Sequence, residues 1–142
     1  TIFMKAADVT SDLFNANGKG KAIAEAGRTV VVYHAKDDMA LNASKVVNGL
    51  TDDALAPTSP RLGRTGPLGD LPQNVYSVDC DAINTIYDIP LGHTYFFDKK
   101  GDPSEVLFHI TNIINTAHTP KEQKSRIRKR IKVFGVPVPW LL

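Results

Sequence analysis

His93 is the side chain in this sequence best suited to moving a proton. It stands in LGHTYFF (91–97), just after Pro90 and Gly92, and is followed by Thr94, Tyr95, Phe96 and Phe97. A loop histidine at the mouth of an apolar run is a common way to present a general base, because imidazole titrates near neutrality. Such a base needs two partners. A carboxylate on one ring nitrogen fixes the tautomer, and a hydroxyl or thiol at the other nitrogen is activated by it. The acids available are Asp8, Asp37, Asp38, Asp79 and Asp81, each at the end of an apolar run. The nucleophile candidates are Ser11, Ser44, Ser59, Ser77, Ser104, Ser125 and the lone Cys80, and no serine is flanked by glycines two positions to either side.

The elements that must position these groups can be read from the pattern. Residues 2–9 predict a short buried strand ending in Asp8, and TSDLF after it a turn or helix start with Thr10 or Ser11 as cap. KAIAEAG (21–27) predicts a compact helix closed by Gly27 in the C′ position. In RTVVVYHA (28–35) the unbroken run of β-branched residues suits a strand buried on both faces, as in a parallel sheet. DDMALNASKVVNG (37–49) predicts a helix stopped by Gly49. Residues 50–73, with four prolines and three glycines, predict a long loop. NVYSVDC (74–80) predicts another strand. DPSEVLFHITNIINTAH (102–118) predicts a helix with Asp102 as cap, Pro103 in the first turn, Glu105 closing a capping box and one apolar stripe. Within that stripe His109 is expected to be partly buried or flanking. Alternating strands and helices give an α/β fold with a mostly parallel sheet. In such sheets ligands bind beyond the carboxyl ends of the strands, which is where the candidate acids and His93 fall.

Four segments in this order resemble one family. MKAADVTSDLF, VVVYHAKDDMALNASKVVNG, PRLGRTG and LGHTYFF are similar to the C-terminal half of bacterial α/β-hydrolases, in a branch of serine-esterase-like proteins, over residues 1–100. The family places its acid in a D-x-A-L context, which falls on Asp38, and its histidine in a G-H-[ST]-[YF] context, which falls on His93. Asp37 is the alternative acid. Acid before histidine agrees with the chain order of that fold. The resemblance implies a partial three-layer sandwich, the C-terminal portion of the α/β-hydrolase fold, over 1–118, and by composition residues 119–142 read as a basic helical tail with an apolar end. It implies hydrolysis of a small ester-type substrate by a serine, with no metal or organic cofactor.

The departure from the family is large. The G-x-S-x-G elbow that carries the nucleophile is absent. The resemblance puts that elbow one strand before Thr1, and a first strand already under way at residue 2 fits an upstream portion. The expected partner is therefore the missing N-terminal half of a hydrolase domain, or a chain that complements it. The alternative, from another class, is a binding or scaffold module that kept the sheet without the chemistry. A sheet edge left open at the first strand would make such a half-domain prone to pairing.

Composition narrows the remaining classes. The chain has 142 residues, 42% apolar and 23% charged, with a net charge of +2, the profile of a packed domain. No segment matches a signal peptide or a membrane-spanning run, so a cytoplasmic location is the default expectation. The basic charge is local. Residues 121–132 hold seven of the 17 Lys and Arg against one acid, leaving 10 bases against 14 acids in the first 120 residues. With no aromatic platform beside it, this patch does not point to nucleic acid. It reads as a solvated helix whose apolar end docks on its own domain, the alternative being contact with an anionic membrane or a partner groove. Cys80 reads as a small buried hydrophobe rather than a thiol nucleophile, and Asp79 with Asp81 is a poor metal set. Arg61 and Arg64 read as ties for the long loop or, less simply, as a clasp for an anionic substrate group.

Overall fold

The valine run at the centre of the chain decides the architecture. In the computed structural model, which describes residues 1–15, 18–48, 60–84, 92–98, 104–116, 132–133 and 136–137, β1 (Ile2–Lys5), β2 (Val30–His34) and β3 (Val75–Asp79) form one sheet in the order β1-β2-β3. Both pairings are parallel, with Ile2 opposite Val30 and Val30 opposite Val75. All five residues of β2 are buried. A central parallel strand is covered on both faces, so both sets of alternating side chains must be apolar or paired. Removing each such valine from water is worth about 1.5–3 kcal/mol.

Two clusters of buried residues lie on the two faces. Val31, Tyr33 and Ala35 of β2 and its continuation share one with Val78, Cys80, Leu41, Tyr95, Phe96, Val106 and Ile113. Val30 and Val32 share the other with Phe14, Ala24, Leu62 and Val75. Helices contribute to both. The first cluster takes α2 (Met39–Asn48) and α4 (Glu105–Thr116), and the second takes α1 (Lys21–Ala26) and α3 (Leu62–Thr65). The chain is thus of α/β class, with helices on either side of a small parallel sheet. Near the C-terminus β4 (Lys132–Val133) and β5 (Val136–Pro137) form a short antiparallel pair. The rest of the expected basic tail lies outside the described residues.

Several expectations are corrected by local physics. β1 stops at Lys5 rather than running to Asp8, because Ala6 turns the chain with a φ of 45°. The long loop contains α3, whose Gly63 lies against β1's exit: a Cβ there would come within 2.3 Å of the Ala6 carbonyl carbon. Gly63 donates its N–H to the Ala7 carbonyl and accepts the Ala35 N–H, tying the ends of β1 and β2 together. Gly27 ends α1 in extended rather than left-handed conformation. At α4 the cap is Ser104, whose Oγ accepts the Leu107 N–H at 3.3 Å. Glu105 is the first residue of α4, and Asp102 and Pro103, with the capping box expected there, lie outside the described residues. Of the expected stripe, Val106 and Ile113 lie in the core with Ile110 packed against it, and Ile114 departs from it. Val106, His109 and Ile113 are buried, whereas Phe108 and Ile114 are 52% and 66% exposed. His109 is thus a core residue, held by Tyr33 beneath it.

Candidate acid–base site

Asp38 sits at the exit of β2, where two turns of local bonding fix it. Its N–H donates to the Ala35 carbonyl, and its Oδ1 accepts the Leu41 N–H at 3.1 Å. That second bond makes Asp38 the N-cap of α2, satisfying one of the helix's orphan donors. The cap uses one carboxylate oxygen. The other, Oδ2, lies 2.8 Å from His93 Nδ1. Capping and pairing with the histidine are therefore served together by the two oxygens of Asp38. Asp38 is fully buried, and the His93 side chain is 33% exposed.

His93 reaches this position through the short segment 92–98. Gly92 turns the chain at a φ of 76°, a conformation that favours glycine. The Phe97 N–H donates to the Thr94 carbonyl at 3.0 Å, closing a turn. Tyr95 is buried and donates its hydroxyl to the Tyr33 carbonyl of β2 at 3.2 Å. Burial pushes the Tyr95 phenol upward, with the Cys80 and Asp38 charges adding to it, so it stays a neutral donor. Phe96 meets His93 edge-on at 5.9 Å between ring centroids, and Lys5 at the end of β1 lies 5.2 Å from the Phe96 ring. The histidine follows β3 in sequence, yet its aromatic support stands over the exit of β1. At the far end of the segment, Asp98 accepts the Ser104 N–H at 2.7 Å, joining it to the start of α4.

An ionised carboxylate accepts hydrogen bonds and donates none, so Nδ1 of the neutral ring carries the proton and Nε2 the lone pair. With a third of the side chain exposed, that nitrogen is available as a base to a group brought to the site.

The other candidate acids have different employment. Asp8 pairs with the buried Arg61 at 3.3 Å. Asp81 accepts the Lys36 N–H at 2.6 Å, with the Lys36 ammonium 3.5 Å from its second oxygen. Asp79 accepts the Asp81 N–H at 2.9 Å. Asp37 is half-buried beside Asp38, and it is Asp38 that meets the imidazole. Arg64 donates Nε–H to the Lys36 carbonyl at 2.9 Å. The two arginines thus act as ties between loops, as the plainer reading of PRLGRTG expected. Cys80 is fully buried, and burial, then the charges of Asp79 and Asp81, push its thiol upward, so it is a core residue rather than a nucleophile. No group of three or more His, Cys, Asp or Glu able to hold a metal occurs among the described residues. No helix among them is long and apolar enough to cross a membrane.

Two histidine pairs escaped the sequence. His109 Nδ1 lies 2.9 Å from the Tyr33 hydroxyl, and His34 Nε2 lies 2.9 Å from Ser77 Oγ. Neither pair has a spacing signature, because each joins residues brought together by strand register or helix docking.

In comparisons with known proteins, no family model, curated protein or solved structure matches this chain.

Proposed function

We propose that the chain supplies the acid and base of a serine-hydrolase site acting on small ester-type bonds, and that it is a portion or subunit of an α/β-hydrolase-like protein. The observation that carries the reading is the bond between the buried Asp38 carboxylate and His93 Nδ1 at 2.8 Å. Its support is topological as well. The acid leaves the middle strand of a parallel sheet and the histidine follows the third, both at the carboxyl edge where such folds bind ligands. The order of acid and then histidine is that of the α/β-hydrolase triad.

In this reading Asp38 orients the imidazole, and His93 Nε2 removes the proton from a serine as that serine attacks the ester carbonyl. The same nitrogen then returns the proton to the departing alkoxide. The serine comes from outside these 142 residues, from sequence ahead of Thr1 or from a second polypeptide. Its natural place is beside β1, since Phe96 and Lys5 put His93's support over the exit of that strand.

The test uses the protein as isolated from its natural source, treated with a fluorophosphonate probe and mapped by peptide mass spectrometry. The expected result is a labelled serine that lies outside residues 1–142 and travels with this chain. Its labelling should fall by about 10²–10⁴-fold in a His93→Ala variant. If every serine adduct survives His93→Ala at an unchanged rate, the hydrolase reading fails, and a non-catalytic binding module takes its place.

A further inference from the structure

The Asp38–His93 bond joins two loops 55 positions apart in sequence, so it keeps its length only if both loops are fixed to one reference. The exit of β2 is that reference. Asp38 is tied there by its own N–H, which donates to the Ala35 carbonyl at 3.1 Å. Two residues back along the strand, the Tyr33 carbonyl accepts the hydroxyl of Tyr95 at 3.2 Å, and Tyr95 stands two residues after His93. The acid and the base thus hang from carbonyls two residues apart at one strand exit.

The surroundings of Tyr95 suit it to this task. It is buried, and its ring meets Phe96 edge-on at 5.3 Å, while Phe96 in turn meets His93 edge-on at 5.9 Å. Ser104 donates its hydroxyl to the Tyr95 carbonyl at 3.4 Å, tying the residue to the start of α4. The Tyr33 carbonyl also accepts the Ala6 N–H at 3.4 Å, so the Tyr95 hydroxyl completes a junction of β1, β2 and the histidine segment. The Asp38 charge is among the causes that keep the phenol un-ionised, so the hydroxyl lies within electrostatic reach of the carboxylate that holds His93.

We propose that Tyr95, through its hydroxyl, is the positioning residue of the acid–base pair. Its bond to β2 holds residues 92–98 where His93 Nδ1 meets Asp38 Oδ2. A carboxylate only accepts hydrogen bonds, so a neutral ring held on Asp38 carries its proton on Nδ1, whereas a ring released into water samples both tautomers. Without the hydroxyl, the segment loses its tie to the strand that also anchors Asp38, and the imidazole leaves the carboxylate for part of the time. Tyr95 acts only through His93. The inference concerns the pair itself and stands or falls without any serine.

The test is nitrogen-15 NMR of the histidine rings in the intact protein, in alkaline buffer where imidazole is neutral, with the His93 signals identified by their loss in His93→Gln. The expected result is a single His93 tautomer, protonated at Nδ1, whose Nδ1 proton exchanges slowly with water. Tyr95→Phe removes one oxygen and keeps the ring. It should speed that exchange about 5-fold or more, the weight of one hydrogen bond, with the Nε2-protonated tautomer appearing. Ile113→Val loosens the same core cluster and leaves the hydroxyl in place, so it should change neither the tautomer nor the exchange rate. A Tyr95→Phe spectrum like that of the unaltered protein overturns the proposal. So does an equal change in Ile113→Val, which would make the effect a general loosening. If Tyr95→Phe does not fold, the unaltered protein decides. Its Tyr95 hydroxyl proton and His93 Nδ1 proton should begin to exchange together as urea is raised, and an Nδ1 proton released while the hydroxyl stays protected overturns the proposal. Failure of the hydrolase reading is seen in the labelling of a serine and failure here in a histidine ring, so the two are told apart.

Discussion

Two histidines of this chain each make one short hydrogen bond in the same half of the molecule, and they differ in what they can do. His93 meets the Asp38 carboxylate at 2.8 Å at the carboxyl edge of the sheet, with a third of its side chain in solvent. His109 meets the Tyr33 phenol at 2.9 Å between α4 and β2, is almost fully buried, and has no hydrogen-bond partner for Nε2 among the described residues. A carboxylate stabilises the imidazolium that a base becomes when it takes a proton. A neutral phenol within an apolar cluster does not, and burial pushes His109 down to about 4. Tyr33 is itself pushed upward by burial and by Cys80, so no negative charge forms beside His109. The chemistry follows from the partner and the solvent, since the side chain is the same.

The sharpest way to break this contrast is Asp38→Asn. The new side chain still offers Oδ1 to the Leu41 N–H, so α2 keeps its cap, but it turns an N–H toward His93 Nδ1. The ring must then carry its proton on Nε2, the wrong tautomer for a base. We expect His93-dependent serine labelling to fall by about 10⁴-fold, the effect of such a swap in a serine triad. The urea midpoint should correspond to a change of less than about 1 kcal/mol. A labelling rate near that of the unaltered protein would show that the carboxylate does not set the tautomer.

At His109 the same logic predicts loss of stability and no direct loss of chemistry. His109→Ala leaves a cavity and an unpaired Tyr33 hydroxyl, and should cost about 2–4 kcal/mol in chemical denaturation, in the range of large core truncations. A cost under about 1 kcal/mol would mean that the side chain is not packed as described. Gly63→Ala tests the scaffold that both histidines depend on. Its methyl would strike the Ala6 backbone, so a loss of about 1–3 kcal/mol is expected, with the exits of β1 and β2 displaced together.

The pH dependence of His109 is smaller and has a definite sign. Its folded value of about 4 lies below the ordinary 6.5, so between these values the unfolded chain binds the extra proton more readily. Its contribution to stability is complete above about pH 6.5, declines as pH falls toward 4, and is gone below that. Urea midpoints measured from pH 7 to 4 should therefore fall less steeply in His109→Gln than in the unaltered chain. Equal slopes would remove His109 as the source. The smallest effect belongs to the exposed side of the same helix, where Ile114→Ser should change stability by less than about 0.5 kcal/mol. A larger loss would mean that something covers that face.

Much of the frame was legible because it rests on local pattern. The valine run of β2 suits a strand covered on both sides, and all five of its residues are buried. Asp38 and His93 were legible through short sequence contexts, and the bond between them agrees with the pairing those contexts imply. The boundaries were less so. Ala6 adopts a left-handed turn that its residue type gives no hint of, and Ser104, held by Asp98 and Tyr95, accepts the Leu107 N–H at the start of the last described helix. The stripe of α4 also misled, since Ile114 looks like a core residue by spacing, while the docking angle buries His109 instead.

What the sequence determined by itself is the class of the fold, since periodicity acts over a few residues. What only the tertiary structure decided is which polar groups meet. His93 with Asp38, His109 with Tyr33 and His34 with Ser77 are separated by 55, 76 and 43 positions along the chain. Each pairing depends on strand register, on a turn at Gly92, or on the rotation of one helix against the sheet. A shift of one residue in a strand sends every side chain to the other face, so contacts of this kind are settled by packing and leave no local mark.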